Sequence, residues 1–572
     1  MSQHCTGDAV LVTTMTDHLK TRPSVFAGLP RRLKCNLTMA IALLIVAVAV
    51  SRHLGKGEFN YNVDESQHAA TGQFVASLIH DHPFQHPVEY TYLYYAHYPA
   101  LSGVLHWPPF FYLSEGLAFL VFGASVVTAR LVILALAMLG LAFWFRLIER
   151  LHSIEVALAA TLLLGLVPVV ALFEKLVMLE IPSLTLAIVA SYFWIRFLLD
   201  QRNAFLYWFS FSAALAMLTK QNDIYLPFFC LLSLAALNSW QLLYSRSALI
   251  ALAIGVITAG PYYLLLYRMH WSTIAGDVLE KQPSIFGTLT FYLVELPALT
   301  GWPVLILALA GLATCFLWAT RTNALVFGSW FVAVYATMTM IGHKEARYVI
   351  CLIPPVVYFA LWPILWKAVP RWVAATVPGI LIAYLGWSAW HTDRPYVAGY
   401  APVAREIRQI SNSGIILVDT EIPANFIFFM RNEDPEGRFI VLRKALYSCR
   451  IKESLGCQVY LSSPSDLESI FRVDGIRFVV VSNRPPENFP VNFALRNYLQ
   501  SSQFRLLGSF PVEGNSPEWK NYTLLLYENL QAHPPESPTL HIPMETLSSD
   551  IEIPFYELGV FPPASLQNSV KR

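Results

Sequence analysis

The sequence predicts a mostly α-helical, multi-span membrane protein with a small α/β domain after the last span. Three observations carry this. Of 572 residues, 55% are hydrophobic and only 13% are charged, against about 25% charged in ordinary soluble domains. The charge is unevenly spread: residues 392–572 hold 37 of the 77 Lys, Arg, Asp and Glu side chains, and residues 1–391 hold the other 40 over twice the length. Long apolar runs, each near the ~20 residues that cross a bilayer, fill the first part. This composition excludes a soluble enzyme and a disordered chain. A net charge of +1 leaves no basic footprint for a nucleic acid.

The chain divides accordingly. Residues 1–36 are polar, carry no cleavable signal peptide and are read as a cytoplasmic segment. Residues 37–391 form the membrane domain. About eleven candidate spans run near 37–53, 124–145, 155–173, 181–199, 203–219, 222–240, 247–267, 301–319, 324–341, 348–366 and 372–391. The apolar stretch Pro108–Gly123 is too short to cross and is read as a re-entrant or juxtamembrane helix. With the N-terminus in the cytoplasm, the inside segments gather 13 Lys and Arg residues, mostly in very short loops. That is the expected bias. The tail then lies outside the cytoplasm.

Residues 392–532 contain short apolar runs at 414–419, 438–442, 476–481 and 522–527, interleaved with helical patterns such as 403–411. This predicts an α/β domain. Residues 533–572 are Pro-rich and read as a loosely ordered tail. Cys230, Cys315 and Cys351 sit in apolar runs as small core residues. Cys449 and Cys457 could pair if the tail is extracytoplasmic.

The outer face collects the unusual residues. It holds thirteen acids against five inside, together with His68, His80, His82, His86, His97, His106, His270 and His343. Ionisable groups near hydrocarbon are costly and mark functional cavities. The first outer loop, about 54–123, is far longer than a connection needs. It opens on Asn62-Val63-Asp64-Glu65-Ser66-Gln67-His68. Ala69, Ala70, Phe74, Val75, Leu78 and Ile79 then recur at helical spacing, predicting an amphipathic helix lying on the membrane. Asp64 at its start is either an N-cap or first-turn acid suited to the helix dipole, or a carboxylate base facing a cleft. The loop ends His106-Trp107-Pro108-Pro109, with His106 a structural residue, an acid/base group or a ligand. Glu180 stands before Ile181-Pro182 at the start of a span, where dipole complementarity alone would suit it. Leu218-Thr219-Lys220-Gln221-Asn222-Asp223 packs polar groups into a turn between spans. In Gly342-His343-Lys344-Glu345-Ala346-Arg347-Tyr348, Lys344 and Arg347 either anchor at the interface or clamp a phosphate.

These clusters, in this order, resemble the lipid-linked-sugar glycosyltransferases of the GT-C fold, and among them the protein O-mannosyltransferases and the aminoarabinose transferase of lipid A. The resemblance rests on Asp64-Glu65-Ser66 followed by Ala69-Ala70-Thr71-Gly72, on Pro108-Pro109-Phe110-Phe111-Tyr112-Leu113, on Phe122-Gly123 and Ala129-Arg130-Leu131, on Leu179-Glu180-Ile181-Pro182, and on Met217-Leu218-Thr219-Lys220-Gln221. It covers about residues 37–391. Three positions depart from the pattern: Gln221 replaces a usual Gly, Trp107 a common Lys or Pro, and Glu180 a usual Asp.

The resemblance implies a GT-C transmembrane domain followed by an extracytoplasmic domain. It also implies a polyprenyl-phosphate sugar donor, a protein, lipid or glycan acceptor, and transfer with inversion. Asp64 would be the general base that takes the acceptor's proton, with Glu65 as the second catalytic carboxylate. Lys220, Arg347 and Lys344 would bind the donor phosphate, and His106, Glu180, Gln221 and His343 would line the substrate site. No cofactor is required; a divalent metal held by Asp64, His106 and Glu180 is the one candidate. The plain termini favour a bacterial plasma membrane. The rival readings are a polyprenyl-lipid transporter or flippase, which would carry inverted repeats and mid-membrane charges, and a non-catalytic scaffold with a lectin-like tail.

Overall fold

The computed structural model describes residues 30–83, 85–101, 107–278, 284–449, 457–461, 464–543 and 550–560. Two compact units emerge, one made of residues 1–54, 107–111 and 130–393, the other of 55–106, 112–129 and 394–572.

Among the described residues, seven helices are long and apolar enough to cross a membrane: Arg31–Ser51, Val126–Leu151, Glu180–Asp200, Arg246–Arg268, Arg321–Met340, Ala346–Leu365 and Arg371–His391. A bent pair makes an eighth. All eleven expected segments fall on helix, but several are shorter or broken. The segment 155–173 divides into Ile154–Leu166 and Pro168–Phe173, because Pro168 has no N–H to continue the ladder. The segment 348–366 opens as a tight 3-10 turn, Ala346–Leu352, before Ile353–Ala360 and Trp362–Leu365, with Pro354, Pro355 and Pro363 each at a helix start.

Sequence reading missed the helix Ile285–Thr300, whose apolar run is interrupted by Glu295 and Pro297. It meets Trp302–Ala313 at 120°. Gly301 makes the corner at φ 79°, a conformation that costs glycine little. Helix starts follow their caps: Ser153 accepts from Val156 N, and Thr320 from Asn323 N.

The two most enclosed candidate spans are Glu180–Asp200 and Ala346–Leu365, each 83% buried. They are the helices that carry Glu180 and Arg347. Close packing elsewhere in this unit depends on glycine. A Cβ on Gly311 would sit 1.9 Å from the carbonyl oxygen of Phe359 on the facing helix.

The second unit gathers most of the long first loop and the whole tail. Its sheet has five strands in the order Phe439–Leu442, Gly414–Asp419, Ile476–Ser482, Thr523–Asn529, Phe504–Pro511. The first three run parallel, with Ile416 opposite Val441 and Leu417 opposite Val479. The last two are antiparallel, with Val480 opposite Leu526 and Phe510 opposite Leu524. Gly414–Asp419 is buried at every position, as a strand covered on both faces must be. Phe504–Pro511 went unread because it is an edge strand with exposed Arg505 and Leu506. Cys457 is disulfide-bonded and lies across from Cys449 in the hairpin Tyr447–Cys449/Cys457–Val459.

Two further differences matter. The helix Val63–Asp81 forms as expected, but it does not lie as a lone amphipathic helix on a membrane. Glu65, Ser66, His68, Thr71, Gln73 and Ser77 are buried together with Ala69, Ala70 and Phe74. Its polar side is met by the helix Pro423–Glu433, where the Gln73 amide donates to Phe428 O at 3.1 Å and to Asn432 Oδ1 at 2.7 Å. The tail after residue 532 is also not loose throughout. Thr539–Ile542 pairs with Ile551–Pro554, and Leu540, Ile542, Ile551, Ile553, Phe555 and Leu558 join the domain core. Residues 561–572 lie outside the described residues.

The Gly311 contact generates a prediction. Because the obstacle is backbone rather than a yielding side chain, Gly311→Ala destabilises the membrane unit by about 1–3 kcal/mol, read as a lower midpoint of thermal unfolding in detergent.

Candidate functional site

The membrane unit brings three of the expected residues to one place. Glu180 is the first residue of its helix, where the positive end of the dipole favours an acid. Lys220 has an extended backbone between the helix Asn203–Met217 and the 3-10 turn Gln221–Ile224. That turn is tied back to the Pro108-Pro109 segment by Phe110 N, which donates to Leu218 O at 2.9 Å. Arg347 lies in the 3-10 turn Ala346–Leu352. The Lys220 ammonium donates to Glu180 Oε1 at 2.7 Å, and Arg347 Nε lies 3.5 Å from the same oxygen. Glu180 and Lys220 are only 1% and 3% exposed. Burial of this degree is tolerated only for paired charges.

A second carboxylate steadies the guanidinium. Glu345 accepts from Arg347 Nε at 2.6 Å and Nη2 at 3.2 Å, and from the Tyr348 hydroxyl at 3.1 Å. His343 Nε2 lies 3.1 Å from its Oε1. Burial acts to raise the Glu345 carboxyl, but the bonds and charge of Arg347, with those of His343 and Tyr348, outweigh it and hold the group below its usual range. The Tyr348 ring lies under both cations, 5.1 Å from Lys220 Nζ and 5.9 Å from the Arg347 guanidinium carbon.

Lys344 has a different position. Its ammonium donates to Thr339 O at 2.8 Å, Ile341 O at 2.9 Å and Met338 O at 3.4 Å. All three of its N–H groups thus satisfy carbonyls at the end of the helix Arg321–Met340. Gln221 is half-buried at the start of its turn.

Asp223, at the end of the Lys220 turn, is a site residue that the sequence reading does not assign. It is fully buried, accepts from Ser183 Oγ at 2.8 Å, and lies 3.8 Å from Cys351 Sγ. The signal was its spacing: it lies three residues after Lys220, and Ser183 lies three after Glu180. Glu174 is also fully buried, and its carboxyl finds no hydrogen-bond partner among the described residues.

The second unit holds the other acids. Asn62, not Asp64, caps the helix Val63–Asp81, its side chain accepting from Asp64 N at 3.0 Å. Asp64 sits half-buried in the first turn. Glu65 is fully buried and accepts from Asn60 N at 2.5 Å. His68 Nδ1 lies 2.7 Å from the Tyr112 hydroxyl. Glu115 packs against Gly72, where an added Cβ would fall 2.3 Å from its Oε2. Its carboxyl has no hydrogen-bond partner among the described residues. Burial first, and the Glu65 charge after it, push Glu115 well above the usual carboxylate range.

His106 lies outside the described residues. Among the described residues no group of three or more His, Cys, Asp or Glu side chains could hold a metal ion. Glu180 fits poorly as a metal ligand, because two cations already crowd its Oε1.

Comparison with known proteins supports this fold. Residues 106–264 match the family model described as dolichyl-phosphate-mannose-protein mannosyltransferase. No curated protein sequence matches significantly. Among solved structures, ArnT from Cupriavidus metallidurans bound to undecaprenyl phosphate superposes with a TM-score of 0.58 at 14% identity, covering 88% of this chain and 100% of that one. Its apo state gives a TM-score of 0.59 at 14% identity, covering 88% and 99%. The arabinofuranosyltransferase AftD from Mycobacteria gives 0.50 at 13% identity, over 91% of this chain and 41% of that one. The chain is thus a multi-pass membrane protein that resembles, in its fold and in the sequence of residues 106–264, the lipid-linked-sugar glycosyltransferases of the GT-C fold.

Proposed function

We propose that this protein is a membrane glycosyltransferase that moves a sugar from a polyprenyl-phosphate donor to an extracytoplasmic protein, lipid or glycan acceptor. The observation that carries the reading is the Lys220–Glu180–Arg347 cluster. Two cations are fixed on one buried carboxylate within a membrane unit. Lys220 spends one of its three N–H groups on Glu180. Such preorganised donors act on charge that develops during the reaction, at little reorganisation cost. The ArnT fold, solved with undecaprenyl phosphate, supports the same ligand chemistry here.

The steps follow. An acceptor hydroxyl or amine attacks the anomeric carbon of the donor sugar and forms the new glycosidic bond. The bond from that carbon to the phosphate oxygen breaks, and its electron pair leaves with the polyprenyl phosphate. Lys220 and Arg347 offset the charge that grows on the leaving phosphate. Asp64 takes the proton from the acceptor, with Glu65 buried beside it in the same helical turn. One direct displacement inverts the anomeric centre. His343 steadies Arg347 through Glu345, and Gln221 and His106 are the sugar-binding candidates. Lys344 serves by holding the end of the helix Arg321–Met340 in place. The protein sits in a bacterial plasma membrane with its N-terminus in the cytoplasm and its tail outside. Incubating purified protein in nanodiscs with a polyprenyl-phosphate sugar and an extracytoplasmic glycan fraction, then measuring free polyprenyl phosphate, tests the reading; no release overturns it.

Three outcomes are expected. Asp64→Asn abolishes transfer while expression and donor binding persist; turnover at the wild-type rate would remove Asp64 as base. Lys220→Ala lowers kcat by about 10²–10³, as loss of an oxyanion donor does, and weakens donor engagement; an unchanged donor dependence would reduce Lys220 to a polar turn residue. Glu180→Ala leaves the buried Lys220 without its counter-charge and costs about 3–5 kcal/mol of stability, whereas a double Glu180→Leu, Lys220→Met variant recovers most of the unfolding midpoint without recovering transfer.

A further inference from the structure

The extracytoplasmic-type domain contains a cavity of about 500 Å³ that the transfer chemistry does not use. Its size falls in the range of small-molecule sites. It lies just beyond the carboxyl end of the parallel strand Phe439–Leu442, the end at which open α/β sheets take ligands. Arg443, Asp474, His541, Gln458 and Tyr460 line it, over an apolar floor that includes Ile470.

Of the charged groups on the cavity lining, which include Lys444 and Asp550, Arg443 and Asp474 are left poised rather than paired. Arg443, with five N–H donors, makes one long hydrogen bond among the described residues, to Pro99 O at 3.4 Å. No hydrogen-bond donor or ion-pair partner reaches the Asp474 carboxylate among the described residues. Burial lifts that carboxyl to about 6 against the pull of His541, so it gains from any donor that enters. His541 itself is drawn to Asp550, 3.1 Å away.

An anion entering here would meet Asp474 and Asp550, and a cation would meet Arg443 and Lys444. A neutral polyol suits both, because each hydroxyl can donate to the carboxylate and accept from the guanidinium. The Tyr460 ring and the aliphatic floor suit the C–H face of a sugar ring. We propose that this cavity binds a neutral saccharide and serves as the docking point for a glycan acceptor, an inference that rests on the glycosyltransferase reading for its purpose.

The test uses the full-length protein in nanodiscs without donor. Mannose and mannobiose are the neutral probes, with glucuronate and glucosamine as the charged ones. Saturation-transfer NMR reads binding, and hydrogen exchange reads protection of residues 439–442 and 539–542. The expected result is binding and protection by a neutral saccharide, weakened about tenfold in Asp474→Asn and in Arg443→Gln, as loss of a bond to a charged group does. Both variants keep the wild-type unfolding midpoint within a few degrees; a variant that unfolds is replaced by Gln458→Ala, for which a several-fold loss is expected. Binding of only glucuronate or only glucosamine, no binding at all, or binding indifferent to every folded variant overturns the proposal. Saccharide binding in a protein that never cleaves donor would overturn the transferase reading alone, and donor transfer without saccharide binding would overturn this inference alone.

Discussion

A carboxylate taken out of water at the head of a membrane-buried helix has to find cations, and Glu180 finds two. Lys220 at 2.7 Å and Arg347 at 3.5 Å from one oxygen fix three chain segments that lie far apart in sequence. The penalty of burying three ionised groups is met only while all three stay together. That single constraint holds the turn after Met217 and the turn Ala346–Leu352 against the start of the helix at Glu180. It also explains the second layer. Glu345 holds Arg347 by bonds of 2.6 and 3.2 Å and is itself held by Tyr348 and His343, each at 3.1 Å, so the guanidinium has little freedom. A site built this way is rigid before any ligand arrives, which favours stabilising a reacting state over merely binding a substrate.

The acids of the second unit obey a different logic. Asp64 is half-buried in the first turn of a helix capped by Asn62, while Glu65 and Glu115 are fully buried. Gly72 exists as glycine because Glu115 occupies the space a side chain would need. A carboxyl pushed toward its protonated form beside one that accepts Asn60 N lets two acids share a small volume. This arrangement leaves Asp64 as the member of the group with partial solvent access, the condition a proton acceptor requires.

Much of this was legible from residues alone. The eleven apolar segments all became helix, and the strands at 414–419, 439–442, 476–482 and 523–529 followed from their apolar runs. Glu180, Lys220 and Arg347 were each ambiguous in isolation, since an acid before a proline, a lysine in a turn and an arginine at an interface all have ordinary uses. What the residues did not disclose was long-range: that Lys344 would turn onto the carbonyls of the preceding helix, that Asp223 would pair with Ser183, and that residues 539–542 would find 551–554 and enter the core. Those outcomes depend on partners chosen by tertiary packing. The helix Val63–Asp81 illustrates the same limit: its period was readable, but its polar side faces a helix more than 340 residues away rather than water.

In the proposed reaction the cations ordered by Glu180 grip a lipid phosphate. Phosphorus NMR of polyprenyl monophosphate in nanodiscs tests this most directly. On addition of the protein, the phosphate resonance should shift and broaden, and it should return to its free position when a folded variant lacking both Lys220 and Arg347 is substituted. A resonance that the wild-type protein leaves unmoved, or that the double variant moves equally, would contradict it.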